Sequence, residues 1–293
     1  MDDHDRLAER FQTHRSHLRR VAYRMLGSLS EADDAVQEAW LRLSRADTSG
    51  VENLAGWLTR VVARVCLDML RARTARREQP LGIQVPYPIV NSQSESDPEQ
   101  EALLAESVGL ALLVVLDRLT PTERVAFVLH DLFAVPFDQI ALIVERSPTA
   151  TKKLASRARH RVHGNATSPD TDLARQRHVA DAFLAATRGG DLKALLAVLD
   201  PDVVRRADRA ALPAGPAELR GAQGVAEETR VFSRRARFAR LALVDGTVGI
   251  VVAPRGRLRL AVGLTIKDDK IAEIDVIADP PRLHQLDLAV LND

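Results

Sequence analysis

Between residues 5 and 76 apolar side chains recur every three or four positions, the spacing that lines one side of a helix. Leu7, Phe11, Leu18, Val21, Ala22 and Met25 mark a first helix. Gly27-Ser28 breaks it, and Ser30, with Asp33 three residues on, reads as the N-cap of a second. That second helix contains EADDAVQEAWLRL, residues 31–43. Ala32, Ala35, Val36, Ala39 and Leu43 form its apolar side. Glu31, Asp34, Gln37, Glu38 and Leu41 fall on the opposite side, within a stripe roughly 120° wide at about 100° per residue. Trp40 lies at the border. The apolar side is ordinary; an acidic side that carries a leucine, with nothing nearby in sequence to neutralise it, asks for a partner. After a loop at 46–53, a long helix is predicted from Leu54 to Arg76, with Trp57, Leu58, Val61, Val62, Val65, Leu67 and Leu70 as its apolar set.

Residues 78–100 show no period. Pro80, Pro86 and Pro88 precede a polar, acidic stretch, which reads as a linker. A second helical unit follows over 98–163. Asp97-Pro98 opens it as cap and N1 proline, and ALLVVL reads as deeply buried. Thr120-Pro121-Thr122-Glu123 is a capping box that starts a new helix. FDQIALIV is then a short helix, ERSP a turn and TATKKLASRARHRV a basic second helix, together a helix-turn-helix. Glu145 stands in the turn where glycine is common, and Thr151 where an aliphatic core residue is usual.

Beyond a second linker, 164–174, the texture changes. A helix over about 173–188 ends at Gly189-Gly190, and another begins at Asp191. Segments rich in Val, Ile and Leu follow, with hairpin turns at Asp245-Gly246, Pro254-Arg255-Gly256 and Lys267-Asp268-Asp269-Lys270. Helices followed by an antiparallel meander predict an α+β domain.

A length of 293 residues fits two or three domains better than one core. The single cysteine, Cys66, allows no intrachain disulfide and suits a reducing, cytoplasmic setting. MDDHDRLAER has no apolar core of a signal peptide, and no run of 18 or more apolar residues occurs, so neither a leader nor a membrane span is expected. Net charge is +1 and divides evenly along the chain. Any nucleic-acid contact must therefore come from local patches. Two exist. One runs from Arg60 through Arg64, Arg71, Arg73 and Arg76 to Arg77, interrupted only by Asp68. The other runs from Arg146 through Lys152, Lys153, Arg157, Arg159 and Arg161 without an acid. In the second, the long cations suit phosphates, while Thr149, Ala150, Lys153 and Ser156 can face base edges in a major groove. Trp57 reads by its spacing as a core residue, and Asp68 with Arg71 as a helix-surface ion pair.

Three stretches, DDAVQEAWLRL, GWLTRVVARVCLDMLRAR and LTPTERVAFVLHDLFAVPFDQIALIVERSPTATKKLASRARHRV, occur in this order around an acidic linker. Residues 1–163 thereby closely resemble the extracytoplasmic-function sigma factors of bacterial RNA polymerase, within the sigma-70 family. Residues 175–288 resemble the SnoaL/NTF2-like domain appended to one subset of that family. The resemblance implies that Asp33, Asp34, Gln37, Glu38 and Leu41 dock on the basic β′ clamp of core polymerase, an acidic stripe steering onto a basic helical partner. It places Trp57, Arg60, Arg64, Asp68, Arg71 and Arg73 near the melted −10 element. Arg146, Thr149, Ala150, Lys152, Lys153, Ser156, Arg157 and Arg159 would read the −35 element. The acidic segment 91–101 is similar to segments that thread the polymerase cleft.

Residues 203–283 contain no His, Tyr, Trp or Cys, which leaves Asp208 and Asp275 as acid/base candidates, each reading better as a turn or surface carboxylate. Asp208 and Arg209 match a family regulatory loop, although Asp208-Arg209-Ala210-Ala211 replaces its glycines. Asp279-Pro280-Pro281-Arg282-Leu283 loosely resembles the family's tail motif.

The expected architecture is multidomain: two all-α sigma domains, the second a helix-turn-helix, plus an α+β NTF2-like cone. The expected divisions are 1–77, a linker 78–97, 98–163, a linker 164–174, and 175–293. The implied function is an alternative sigma factor without catalytic residues, metal or cofactor. Its implied partners are core RNA polymerase (β′ clamp and β subunit) and promoter DNA, with the SnoaL-like domain contacting the sigma domains in cis. A small-molecule ligand for the cone stays open. Two rival readings remain: a helix-turn-helix regulator with a sensory domain, and a SnoaL-like enzyme fused to a DNA-binding unit.

Overall fold

The computed structural model describes residues 3–46, 51, 53–78, 110–164, 170–213, 215–233, 236–254 and 257–291. The acidic linker and the expected helix start at Asp97-Pro98 lie outside them, as does most of the Pro254-Arg255-Gly256 turn. The chain divides into two compact units, Met1–Ser107 with Leu119–Arg159, and Val108–Arg118 with His160–Asp293.

The first unit is helical. Helix α1 (Asp3–Leu26) stops at Gly27, whose φ of +74° turns the chain where a side chain would be strained. Helix α2 spans Leu29–Leu43. Its cap is Ser28 rather than the expected Ser30: Ser28 is extended and accepts from the Glu31 N–H, so the helix starts two residues earlier. Leu29 is thereby buried. Helix α3 (Leu54–Glu78) opens with the Asn53 side chain accepting from Gly56 N at 2.9 Å. Leu18, Val21, Ala22 and Met25 of α1 are fully buried with Ala32, Ala35 and Leu43 of α2 and Leu58, Val62, Cys66 and Leu67 of α3. Burial pushes the Cys66 thiol far up, so it stays protonated. Trp57, expected in the core, is half-buried.

In the same unit, Thr120 and Glu123 close the predicted capping box at the start of a helix that Pro121–Phe127 forms. A π-helical turn, Val128–Leu132, leads to the helix-turn-helix. Its two helices are Phe137–Val144, the span expected, and Pro148–His163. Phe133 meets both His17, edge-on at 5.5 Å, and the Arg24 guanidinium at 6.0 Å.

The second unit is built on a seven-stranded sheet. Counting helices in chain order, Leu110–Leu116 is α4, Pro121–Phe127 α5, Phe137–Val144 α6, Pro148–His163 α7, Asp170–Gly189 α8, Leu192–Val198 α9, Ala222–Val231 α10 and Pro280–Gln285 α11. The strands are β1 (Leu199–Ala207), β2 (Glu218–Arg220), β3 (Ala239–Val244), β4 (Thr247–Val252), β5 (Leu260–Lys267), β6 (Lys270–Ile277) and β7 (Leu288–Ala289), in the spatial order β2-β1-β6-β5-β4-β3-β7. The expected meander holds for β3 to β6. It fails at β1, which runs parallel to β6 because the connection through α10 lets the chain cross the sheet before the meander begins. Asp245 and Gly246 both have positive φ, as a tight hairpin turn between right-twisted strands requires, and so do Asp268 and Asp269. Val179, Phe183 and Leu184 of α8 pack with Leu195, Val203, Val248, Ile250, Ile271 and Ile274 in the core. Helix α8 begins within the segment expected to be linker.

Candidate functional site

The outer side of α2 is less acidic in effect than its composition. Arg19 grips Asp33 with two bonds, Nε to Oδ1 at 2.8 Å and Nη2 to Oδ2 at 3.0 Å. Arg42 pairs with Glu38 one turn away at 2.8 Å, and Arg73 pairs with Glu31. Asp34 and Gln37 remain exposed, together with Leu41 at 39% of its surface. Beside them, Phe11 and Trp40 meet at 5.1 Å and line a shallow cavity of about 260 Å³ with Asp33, Val36 and Gln37. The five residues matched to polymerase docking thus form one continuous surface. Asp34 is exposed without an ion-pair partner among the described residues, Gln37 and Leu41 are exposed beside it, and Asp33 and Glu38 are already neutralised.

The arginine-rich face of α3 is divided in its duties. Arg73 donates to the Leu26 carbonyl at 3.3 and 3.4 Å besides meeting Glu31, so it clamps the turn that starts α2. Arg71 is exposed and pairs loosely with Asp68 at 3.9 Å. Arg60 is half-buried, as is Trp57 one turn earlier. Arg64 donates Nη1 to the Ile143 carbonyl at 3.0 Å and Nη2 to Glu145 at 2.5 Å. The bond to Glu145 raises the Arg64 pKa and lowers that of Glu145.

In the helix-turn-helix, Glu145 takes up the left-handed conformation, φ 58° and ψ 49°, for which glycine is the usual choice. Ser147 caps α7 by accepting from Ala150 N at 3.2 Å. Thr151 is fully buried and its hydroxyl donates to the Ser147 carbonyl at 3.0 Å, which explains how a polar residue sits in a core position. Thr149, Lys152, Lys153, Ser156 and Arg157 are exposed on α7, and Ala150 is half-buried. Arg146 folds back to the Glu145 carbonyl. Arg159 is tied to Asp131 at 2.7 Å.

In the second unit, Asp208 is a structural clasp. Its carboxylate accepts from Ala211, Ala278 and Asp279 N–H groups, each at 2.9 Å, with Arg282 at 3.7 Å. Burial works against the charge, yet the three N–H groups and Arg282 outweigh it and hold the pKa below the usual carboxylate value. Arg209 is exposed. A buried arginine with a half-buried partner escaped the sequence reading: Arg205 on β1 donates to Glu228 on α10 at 2.7 Å and to the Pro216 carbonyl at 2.8 Å. Its signal was an arginine amid the apolar run of β1. Arg118, just after α4, was missed as well. It donates to the carbonyls of Leu283, His284 and Leu286. Val290 N donates to the Val162 carbonyl at 2.8 Å. Gly164, at φ +58°, lies where a Cβ would fall 2.4 Å from that of Ala289. Arg118 and residues 162–164 are thus fastened to the C-terminal stretch 283–290.

Two family models match this chain: Sigma-70 region 2 over residues 10–76 and Sigma-70 region 4 over 109–162. A probable ECF RNA polymerase sigma factor, SigI of Mycobacterium tuberculosis, is 34% identical over 293 residues, 98% of each chain. The ECF RNA polymerase sigma factor SigJ of the same organism is 36% identical, covering 93% of this chain and 91% of its own. The crystal structure of SigJ aligns over 94% of this chain and 98% of that one, with 34% identity and a TM-score of 0.46. Both sigma regions are present in order, and the likeness extends over nearly the full length of two such proteins. The chain belongs to the extracytoplasmic-function RNA polymerase sigma factors of the sigma-70 family.

Proposed function

We propose that this sigma factor docks on the β′ clamp of core polymerase through Asp34, Gln37 and Leu41, with Asp33 and Glu38 shaping the edges of the contact. The supporting observation is the division of labour on α2. Its remaining acids are paired within the protein, while these three side chains are exposed beside an aromatic-lined hollow. An unpaired negative charge steers a basic helical partner, and the leucine adds apolar area at the centre of the contact.

The −35 element is read by α7, with Lys152, Lys153 and Arg157 on phosphates and Thr149, Ala150 and Ser156 towards bases. Region 2 melts the −10 element with Trp57, Arg60 and Arg71 foremost. The C-terminal domain acts in cis and is non-catalytic. Asp208, its best acid/base candidate, is committed to three backbone N–H groups and is badly placed to carry a proton. The Arg118 staple ties that domain to residues 110–118, the first segment of the second sigma region.

The test is Asp34→Arg with Gln37→Ala in the full chain, measured by binding to purified core polymerase and by run-off transcription. Core affinity is expected to fall by about tenfold or more, since a like charge set against a basic surface costs on the order of 1–3 kcal/mol. Thermal stability should not change, because both residues are exposed. Unaltered affinity would refute the docking surface.

A further inference from the structure

We propose that the outward face of α1 is a further docking surface for DNA, one that grips the phosphate backbone of a duplex without reading its sequence. The proposal rests on the sigma-factor reading, which brings the chain to DNA, and adds a contact outside α3 and α7. From Arg10 to Ser30 the chain carries five arginines and two histidines and no acid, with Glu9 before the run and Glu31 after it. Within it, Arg10, His14, His17, Arg20 and Arg24 recur every three or four positions of α1. At about 100° per residue they fall in one stripe about 120° wide.

Like charges at this spacing destabilise a helix unless something relieves them. Elsewhere in this unit the relief is internal: Asp33 meets Arg19, Glu145 meets Arg64, Glu31 meets Arg73 and Asp131 meets Arg159. Arg10 and Arg20 are exposed and form no ion pair with a described residue. His14, His17 and Arg24 are half-buried along the same stripe. Phe133 braces two of these three, His17 edge-on at 5.5 Å and the Arg24 guanidinium at 6.0 Å. That ring has no net charge, so it shelters the cations without neutralising them. Burial first, then Arg20 and then His14 lower the His17 pKa, and burial followed by Arg20 lowers that of Arg24. A polyanion is what this face lacks.

Duplex DNA suits the face better than other polyanions. Helix α1 keeps Arg10 and Arg20 about 15 Å apart at about 1.5 Å of rise per residue. One strand of a duplex offers a phosphate about every 3.4 Å of its axis, so roughly four successive phosphates lie alongside the stripe. A single strand is held by exposed aromatic side chains on which its bases stack. The stripe holds no Phe, Tyr or Trp; Phe11 is buried, and Phe133 is half-buried against His17 and Arg24. A membrane surface needs apolar residues beside the cations. Those of α1, Leu18, Val21, Ala22 and Met25, are fully buried in the helical core.

The test combines Arg10→Ala with Arg20→Ala in the full chain, assembled with core polymerase, and titrates duplex DNA at several salt concentrations. The slope of log affinity against log salt should fall by about 1.8, the value of two phosphate contacts. The fall should be equal on a promoter fragment and on a duplex of the same length with its sequence shuffled, because phosphates carry no sequence. Arg10→Lys with Arg20→Lys should restore the slope. Melting temperature and affinity for core polymerase should match wild type, since both side chains are exposed and neither lines the hollow beside α2. An unchanged slope would overturn the proposal, and so would a loss confined to single-stranded oligo-dT. Weaker binding of the alanine variant to core polymerase would assign the face to the enzyme and overturn the DNA contact. Wild-type holoenzyme that showed no preference for promoter over shuffled duplex would overturn the sigma reading on which the contact rests.

Discussion

Replacing Asp208 by asparagine separates a structural carboxylate from a catalytic one. The side chain accepts three backbone N–H bonds, Ala211 on Oδ1 and Ala278 and Asp279 on Oδ2, and it is only 11% exposed. In asparagine the better orientation keeps the oxygen towards Ala278 and Asp279 and turns NH2 against the Ala211 N–H. One largely buried donor then loses its acceptor, at about 1–3 kcal/mol. The two remaining bonds lose their charge assistance, roughly 1 kcal/mol each. The sum is about 3–5 kcal/mol, enough to lower the melting temperature of the second unit by about 10 °C or more. The pH dependence carries the sign. Asp208 has a depressed pKa in the folded protein, so its contribution is complete above the unfolded carboxylate value, about 3.9, and is lost as pH falls through the lower folded value. Thermal unfolding of wild type and Asp208→Asn from pH 7 down to pH 2.5 should give curves that stay parallel above pH 5 and converge at the acid end. Hydrogen exchange at Ala211, Ala278 and Asp279 should quicken in the variant. Equal stability at neutral pH, or a gap that persists unchanged into acid, would refute the clasp.

Two other perturbations sort cations by what already occupies them. Lys153→Ala should reduce the slope of log affinity against log salt for promoter binding by the holoenzyme by about 0.9, the value of one phosphate contact. Arg159→Ala should reduce it by clearly less, because Asp131 competes with the phosphate for that guanidinium; titrations at several salt concentrations decide. Glu228→Leu should destabilise the second unit by about 3 kcal/mol in denaturant melts, since it strands the buried Arg205. Changing Arg205 and Glu228 together to apolar residues should restore a large part of that loss.

Much of the fold was legible because its signals are local. The capping box at Thr120–Glu123, the span of α6 and the turns at Asp245-Gly246 and Asp268-Asp269 are each set by residues within a few positions. The apolar stripe of α2 was legible for the same reason. The acidic stripe opposite it was misjudged as unneutralised, because its partners come from elsewhere. Arg73 reaches Glu31 of the stripe across 42 positions, and Arg19 reaches Asp33, beside the stripe, across 14. Even Arg42, one turn from Glu38, was overlooked. The parallel pairing of β1 with β6 was hidden likewise: a strand's pattern shows which side it buries and not which neighbour it joins. Arg205 was hidden because a charged residue in an apolar strand only declares itself once Glu228 arrives from α10.

These cases share a reason to discount arginine when a basic run is read as a nucleic-acid footprint. Guanidinium is weakly hydrated and offers five donors in a flat fork, so it can enter an interior and bond several oxygens at once, which a lysine does poorly. Arg64, Arg73, Arg118, Arg188 and Arg205 each donate to at least one main-chain carbonyl. Arg64, Arg73 and Arg205 bond a carboxylate as well. In the two basic runs, Arg64, Arg73 and Arg159 are spent on holding helices to one another or to a turn, and Lys152, Lys153 and Arg157 remain exposed on α7. A phosphate contact by Arg64 would need the bond to Glu145 to break first. The electrostatic footprint of these two runs on DNA should therefore be smaller than their count of basic residues suggests, with Lys152, Lys153 and Arg157 carrying most of it.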